Sequence, residues 1–253
     1  MITIHEARYA RQTALPQIGW LGQERLATAS VTIVGCGGLG TVAAGLLARA
    51  GVGYLYLIDH DIVEVGNLHR QVLFDERDLG QRKAIAAAEK LRAINSEIVV
   101  EPVVARLSSS NAATLLAGSD LVLDGTDNDA TRYLINEVCV RQGIPWVFAA
   151  VDENYGLAMA IVPGQTPCFS CIFGEPISLP MVPRSNKGLL GTVTHMVAAI
   201  QVGLAVRLLL GDDQHAGGLL YVDAWDYRME SMPLSRPPGG CGVCGDTKAS
   251  RRF

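Results

Sequence analysis

Three observations predict a doubly wound, Rossmann-like α/β fold with a mostly parallel sheet and an antiparallel C-terminal portion. Strand and helix signals alternate through most of the first 150 residues. A glycine-rich turn, VTIVGCGGLG (31–40), lies between the first such strand and the helix after it. A carboxylate, Asp59, closes the second strand 19 residues after the last of those glycines.

The elements follow in order. VTIVG (31–35) is a short apolar, β-branched run, and Gly38 to Ala50 places Leu39, Val42, Ala43, Leu46 and Leu47 at helical spacing. YLYLID (54–59) is the second strand. In QRKAIAAAEKLRAIN (81–95), Ile85, Ala88, Leu91 and Ile94 recur as one helical face. EIVVEPVVA, DLVLDGTD, a helix over Asp129 to Gln142, and PWVFAA continue the alternation. After Ala150 the character changes. LAMAIVP, LLYVDA and YRMESMPL read as strands, a Pro- and Ser-rich stretch (PISLPMVPRSNKG) reads as a mobile surface loop over about 174–190, and Met196 to Leu210 reads as a long apolar helix. The whole of 1–253 is expected to be one domain, with a nucleotide-binding half (1–150) and a second half (151–253). The tail DTKASRRF is expected to fray.

With 253 residues, 49% of them hydrophobic and 18% charged, the chain has enough apolar surface for a large core. A net charge of -4 and the lack of a lysine and arginine block argue against nucleic acid or an anionic membrane as the partner. The start, MITIHEARYARQTALP, interleaves charges with apolar residues and lacks the apolar core of a secretory signal, so a cytoplasmic protein is expected. The apolar stretch from Met196 carries Gln201 and Arg207 within 15 residues, too short and too polar for a bilayer span. It suits a core or dimer-interface helix.

Gly35, Gly37 and Gly40 fit the G-x-G-x-x-G pattern, and Gly38 lies within it. Glycine lets the backbone approach a phosphate, and the following helix N-terminus presents free N–H groups to the anion. Asp59 can accept hydrogen bonds from ribose hydroxyls. A packing turn without ligand is the plain alternative, and the turn by itself does not separate NAD from ATP. The residues beyond it do. An oxidoreductase needs only to position its pyrophosphate, whereas a nucleotidyl transferase must neutralise charge developing around phosphorus, with cations and usually Mg2+. Asn67 and Arg70 lie just past the second strand, Lys83 lies 13 residues after Arg70, and Asp127 is read as ending the fourth strand in DGTDN. Singly, each is an ordinary surface group; together at strand ends they suit a triphosphate and its metal.

Four of the six cysteines form two CxxC pairs, Cys168 with Cys171 and Cys241 with Cys244. Without an oxidising compartment this spacing favours a metal over disulfides. Cys36, inside the glycine turn, and Cys139, on an apolar helix face, read as core fillers.

On RYARQ (8–12), VGCGGLG (34–40), AGVG (50–53), DHD (59–61), NLHRQVLF (67–74), GQRKA (80–84), LDGTDN (123–128), CFSC and CGVC, the sequence resembles the ThiF/MoeB/HesA family, bacterial adenylyltransferases related to ubiquitin-activating enzymes. The resemblance implies ATP-dependent activation of the C-terminal glycine carboxylate of a small ubiquitin-like sulfur carrier, giving an acyl-adenylate and pyrophosphate for molybdopterin, thiamine or related sulfur transfer. By motif position it implies nucleotide contacts from Gly35, Gly37, Gly38, Gly40, Asp59, Asp61, Asn67, Arg70, Lys83, Asp127 and Asn128. Arg70, Lys83 and Asp127 serve the chemistry, with Asp127 on Mg2+ or the α-phosphate. Arg11 is implied to reach the partner subunit's ATP site in a homodimer. Cys168, Cys171, Cys241 and Cys244 are implied to hold a structural Zn2+, whose closed shell leaves no place for substrate.

The sequence departs from the family at three places. Arg184 stands where some relatives carry a loop cysteine that links covalently to the carrier, Gly66 stands where serine is frequent, and His69 where glutamine is. No sulfurtransferase-like extension is recognised, so a separate sulfur donor is expected. The other readings are a peptide-adenylating enzyme of a natural-product pathway, an NAD-dependent oxidoreductase, which leaves Arg70, Lys83 and Asp127 without a role, and a catalytically silent binding module.

Overall fold

The computed structural model describes residues 4–174, 188–214, 216–238 and 240–245. Eight strands form one sheet in the order β3-β2-β1-β4-β5-β6-β7-β8. They are β1 (Ser30–Val34), β2 (Tyr54–Ile58), β3 (Val99–Val103), β4 (Leu121–Asp124), β5 (Trp146–Asp152), β6 (Tyr155–Ile161), β7 (Gly218–Asp223) and β8 (Arg228–Pro233). The pairs among β1 to β5 are parallel. From β5 onward each pair is antiparallel. Pro102 fits within β3 because that strand lies at the sheet edge, where a missing N–H leaves no ladder bond unmade.

Eight helices accompany the sheet among the described residues: α1 (Ile4–Thr13), α2 (Gly19–Thr28), α3 (Gly38–Ala50), α4 (Lys83–Ile94), α5 (Ala112–Leu115), α6 (Asp129–Gln142), α7 (Phe169–Phe173) and α8 (Gly191–Leu209). Successive strand residues point to opposite faces, so the central strands feed two cores at once. Val31, Ile33, Leu121 and Leu123 pack with α3, α4 and α8 on one face. Val34 and Val122 pack with Ile135, Val138 and Cys139 of α6 and with Phe169 of α7 on the other. Helices on both faces make the fold doubly wound, as the alternation predicted. Cys36 and Cys139 are buried in these cores.

Two expectations need correction. The long apolar helix begins at Gly191, five residues before the predicted start, because Val193 and Thr194 are buried although GTVTH carries no clear apolar period. At 19 residues α8 is long and apolar enough to cross a membrane by length and composition. Here it lies across the sheet, with Val193, Val197, Ala198, Val202 and Ala205 buried and the Gln201 Nε2 donating to the carbonyls of Asp124 and Val147 at 2.8 and 2.9 Å. The second correction concerns β4, which ends at Asp124, so Asp127 stands three residues beyond the strand. Most of the loop placed at 174–190, Arg184 included, and the tail from Asp246 lie outside the described residues.

The N-terminal helices had no assignment from pattern. Tyr9 of α1 is buried against Gly51, the left-handed C-cap of α3, where an added Cβ would meet the tyrosine ring at 2.6 Å. Its hydroxyl accepts from Asn95 Nδ2 at 2.9 Å, and Gln12 Nε2 donates to the Ala50 carbonyl at 2.9 Å. These contacts anchor α1 at the C-terminal end of α3.

Candidate active site

The glycine turn leaves β1 between its two neighbours, β2 and β4, where the chain order of the sheet reverses. Strand carboxyl ends at such a switch point form the crevice in which α/β proteins bind ligands. Main chain packs against main chain in the turn. Gly35, at φ +95°, would bring a Cβ within 2.6 Å of the Gly125 carbonyl oxygen, and a Cβ on Gly40 would fall 1.8 Å from the Gly35 carbonyl oxygen. Gly35 N–H donates to Ile58 O, and Gly125 N–H donates to Val34 O, each at 2.8 Å.

Gly37 differs from these. It caps α3 without a side-chain hydrogen bond, and the nearest atoms to a Cβ there would be Gly125 O at 3.7 Å and Gln71 Nε2 at 4.0 Å. The protein alone would admit a side chain at Gly37, so the space it leaves in front of the α3 N-terminus suits a phosphate, whose oxygens can take the first-turn N–H groups.

Asp59 follows β2 directly and is buried. Its Oδ2 accepts the Cys36 N–H and its Oδ1 the Asp61 N–H, both at 2.7 Å. The chain then turns through a 3-10 segment, Val65–Asn67, with Asn67 Oδ1 accepting from Glu64 N. That turn delivers Arg70 across the loop: its Cγ would touch a Cβ on Gly38 at 3.4 Å. The Arg70 Nη1 donates to Gly66 O at 3.0 Å and pairs with His69 Nε2 at 2.8 Å. Since a guanidinium only donates, His69 Nε2 is the acceptor in that contact. Lys83 opens α4, is buried, and places Nζ 3.2 Å from Asp61 Oδ2. A buried ammonium with a single half-exposed acid as its partner is available to a second anion.

On the other side of the turn, Asp127 is exposed, with Asn128 Nδ2 at 3.4 Å. Asn128 caps α6, its Oδ1 accepting from Thr131 N and Oγ1 at 2.9 and 2.8 Å. Beneath them lies a pair that pattern reading missed. Asp124, fully buried, accepts from Arg132 Nε at 3.1 Å and from Thr126 N and Oγ1, while Arg132 also reaches Thr126 O, Asp129 and the face of Phe148. Burial pushes the Asp124 carboxyl up, and Arg132 and Thr126 pull it back only in part. An arginine one turn into a helix that opens with an acid looks like a surface charge in sequence; its partner at the strand end is visible only in three dimensions.

Thus Asp59, Arg70 and the glycine turn meet at the switch point, Lys83 and Asp61 adjoin them, and Asp127 stands above the β4 end. Arg11 does not join them. It sits exposed on α1, at the far end of α3, and a 13-residue helix separates that end from the glycine turn by about 20 Å.

The four cysteines converge between α7 and the C-terminal segment. Sγ separations are 3.7 Å for Cys168–Cys171, 3.7 Å for Cys168–Cys241 and 3.4 Å for Cys171–Cys244. A tetrahedral zinc with about 2.3 Å bonds requires edges of about 3.8 Å, so the cluster is compatible with that ion. Asn136 Nδ2 lies 3.6 Å from Cys168 Sγ. Burial pushes the Cys168 thiol up to about 11 and Cys171 upward as well. Burial acts the same way at Cys241, but backbone N–H groups of Cys244 and Val243 and the facing thiols outweigh it, bringing that thiol down to about 7.

The doubly wound sheet, the phosphate-ready turn at its switch point and the cations beside it define a nucleotide-binding α/β protein. Residues 9–243 match the ThiF family, and the chain belongs to it. It is 42% identical over 241 residues to the SAMP-activating enzyme E1 of Haloferax volcanii, covering 94% of this chain and 88% of that one. It is 40% identical over 254 residues to the sulfur carrier protein adenylyltransferase of Thermus thermophilus, covering 97% and 93%. A further relative, the adenylyltransferase and sulfurtransferase MOCS3 of Sus scrofa, is 41% identical, and the chain spans 53% of its length. Among solved structures, E. coli MccB superposes with a TM-score of 0.84 at 25% identity, over 98% of this chain and 75% of that one. The protein is a nucleotidyltransferase, which sets aside the oxidoreductase reading.

Proposed function

We propose that the protein adenylates the C-terminal glycine carboxylate of a small ubiquitin-like sulfur-carrier protein with ATP. The observation that carries this is the phosphate-ready turn flanked by Asp59 and Arg70, in a chain 40% identical over nearly its full length to a sulfur carrier protein adenylyltransferase. The carrier carboxylate oxygen attacks the α-phosphorus, and the bond to the α,β-bridging oxygen breaks. Its electron pair leaves with pyrophosphate, and the products are carrier acyl-adenylate and pyrophosphate.

In this reading Asp59 holds the ribose, and the α3 N-terminus with Gly35, Gly37, Gly38 and Gly40 seats a phosphate. Asn67, Arg70 and Lys83 neutralise the departing pyrophosphate, Lys83 exchanging part of its bond to Asp61 for a phosphate oxygen. Asp127 holds Mg2+, which when bound supplies further charge neutralisation on the phosphates. Asn128 fixes the Asp127 segment by capping α6. The partner subunit's Arg11 completes the site, which accounts for a cation held some 20 Å from its own glycine turn. The four cysteines hold a structural zinc joining the C-terminal segment to the body. The product serves sulfur transfer in molybdopterin, thiamine or a related synthesis, with a separate protein donating sulfur.

MccB, solved with ATP and with forms of MccA, keeps adenylation of a free peptide as the second reading, at 25–26% identity against 40–42% for the sulfur-carrier relatives. ATP–pyrophosphate exchange separates the two. Stimulation by a folded carrier ending in Gly-Gly, but not by a short free peptide, is expected, with no absorbance change from reduced cofactor. Exchange with the peptide alone would replace the first reading by the second.

A further inference from the structure

Asn136, on α6, is fully buried and reaches the cysteine cluster from outside both CxxC motifs. Its Oδ1 accepts the N–H of Phe169 at 3.0 Å, the residue that opens α7 directly after Cys168. A backbone N–H can only donate, so this bond decides which way the amide faces. Oδ1 turns to Phe169, and Nδ2 turns to Cys168 Sγ at 3.6 Å and Ser170 Oγ at 3.2 Å. A neutral thiol is a weak acceptor, and a buried N–H gains little from it. A thiolate takes a charge-assisted bond, which is stronger. Four thiolates around a dication would leave two negative charges in excess, and Cys168 and Cys244 lie in an apolar core with Trp146, Phe148 and Phe169. Charge buried there needs donors aimed at it.

We propose that Asn136 is a positioning residue of the four-cysteine site, its Nδ2 donating to the metal-bound Cys168 thiolate and its Oδ1 holding the turn that carries Cys168 and Cys171. This rests on the reading of the four cysteines as a zinc site. The donor draws off part of the excess charge on the sulfur, and the acceptor fixes the α7 backbone, so one side chain sets both the charge and the aim of a ligand pair. Asn136 stands 32 residues before Cys168, and the fold alone brings it there. The same helix begins at the Asn128 cap beside Asp127, so α6 runs from the candidate nucleotide site to the cluster.

Zinc release to a chromogenic chelator, and the absorption spectrum of the Co2+-substituted protein, test this in wild type, Asn136→Asp and Asn136→Leu. Asn136→Asp keeps an acceptor for the Phe169 N–H but turns a carboxylate oxygen toward the sulfur, whereas Asn136→Leu loses both bonds. At about pH 8, well above the ordinary carboxyl range, both variants are expected to release zinc roughly tenfold faster or more. The sulfur-to-cobalt charge-transfer band is expected to move to lower energy in both, because a thiolate without its donor gives up an electron more easily. A role confined to anchoring α7 leaves Asn136→Asp equal to wild type in release rate and band position, and that result overturns the proposal. If Asn136→Asp does not fold, the band in Asn136→Leu decides, and an unshifted band overturns the proposal. Wild type that binds neither zinc nor cobalt overturns the zinc reading and this proposal together.

Discussion

The carboxylate of Asp59 accepts the backbone N–H of Cys36 at 2.7 Å, fastening the end of β2 to the middle of the glycine turn. The same group also takes the Asp61 N–H, so one buried acid sets both the turn and the segment leading to Lys83. Each oxygen keeps a lone pair, which the proposed function gives to a ribose hydroxyl. Asp59→Ala is expected to lose on the order of 1–3 kcal/mol of stability and to weaken ATP binding at least tenfold. Chemical unfolding and calorimetry read the two effects, and an unchanged unfolding midpoint would show that the turn holds its shape without the clamp.

Lys83→Ala and Arg70→Ala are each expected to reduce exchange by two or more orders of magnitude with the fold retained, since in the proposed reaction each would remove charge stabilisation at the leaving group. The assignment of Arg11 to the partner subunit gives a sharper expectation. Arg11→Ala and Lys83→Ala proteins, each inactive alone, should regain activity when co-expressed, because the mixed dimer has one site with an intact Lys83 and an intact Arg11. Absence of recovery in isolated mixed dimers would sink the shared-site reading.

Arg132→Met leaves Asp124 buried without its cation, held only by Thr126, beneath the segment that carries Asp127, at an expected cost of about 3–5 kcal/mol. The pH dependence has a definite sign. A carboxyl whose pKa is raised on folding contributes stability that is whole below its unfolded value, about 3.9, and is lost as pH rises through the folded one. Burial already raises Asp124, and removing Arg132 raises it more. The gap between variant and wild type should be widest near pH 7 and shrink toward pH 4. A gap independent of pH in urea unfolding would mean that the variant fails through packing.

One zinc per chain is expected by metal analysis of the purified protein. Cys244→Ser should lose the metal and lower the unfolding midpoint, and strong chelation of the wild type should do the same, because in the proposed site four thiolates would close the shell of a zinc joining α7 to the C-terminal segment. Protein isolated under reducing conditions without metal, at full stability, would remove zinc from the account.

The sheet was legible because its strands are apolar runs, many of them β-branched, and β1 and β4 each stop at a glycine, Gly35 and Gly125. Helices α3 and α6 fall at their predicted bounds for the same reason, a clear period with glycine closing each. What was not legible depends on long-range contact. Helix α1 is fixed by Tyr9 meeting Gly51 and Asn95, residues 42 and 86 positions away, and its own sequence has a weak apolar stripe. The start of α8 is set by the burial of Val193 and Thr194. Within the site, the buried Asp124–Arg132 pair was not readable, since neither residue type nor spacing signals a partner eight residues away across the strand end.

The mutual packing of Gly35, Gly40 and Gly125 also bears on rates. Because main chain fills this contact, no rotamer has to be chosen and no loop ordered when a nucleotide arrives. Association is therefore expected to be limited by encounter, with a single fast phase in stopped-flow mixing whose observed rate rises linearly with nucleotide concentration.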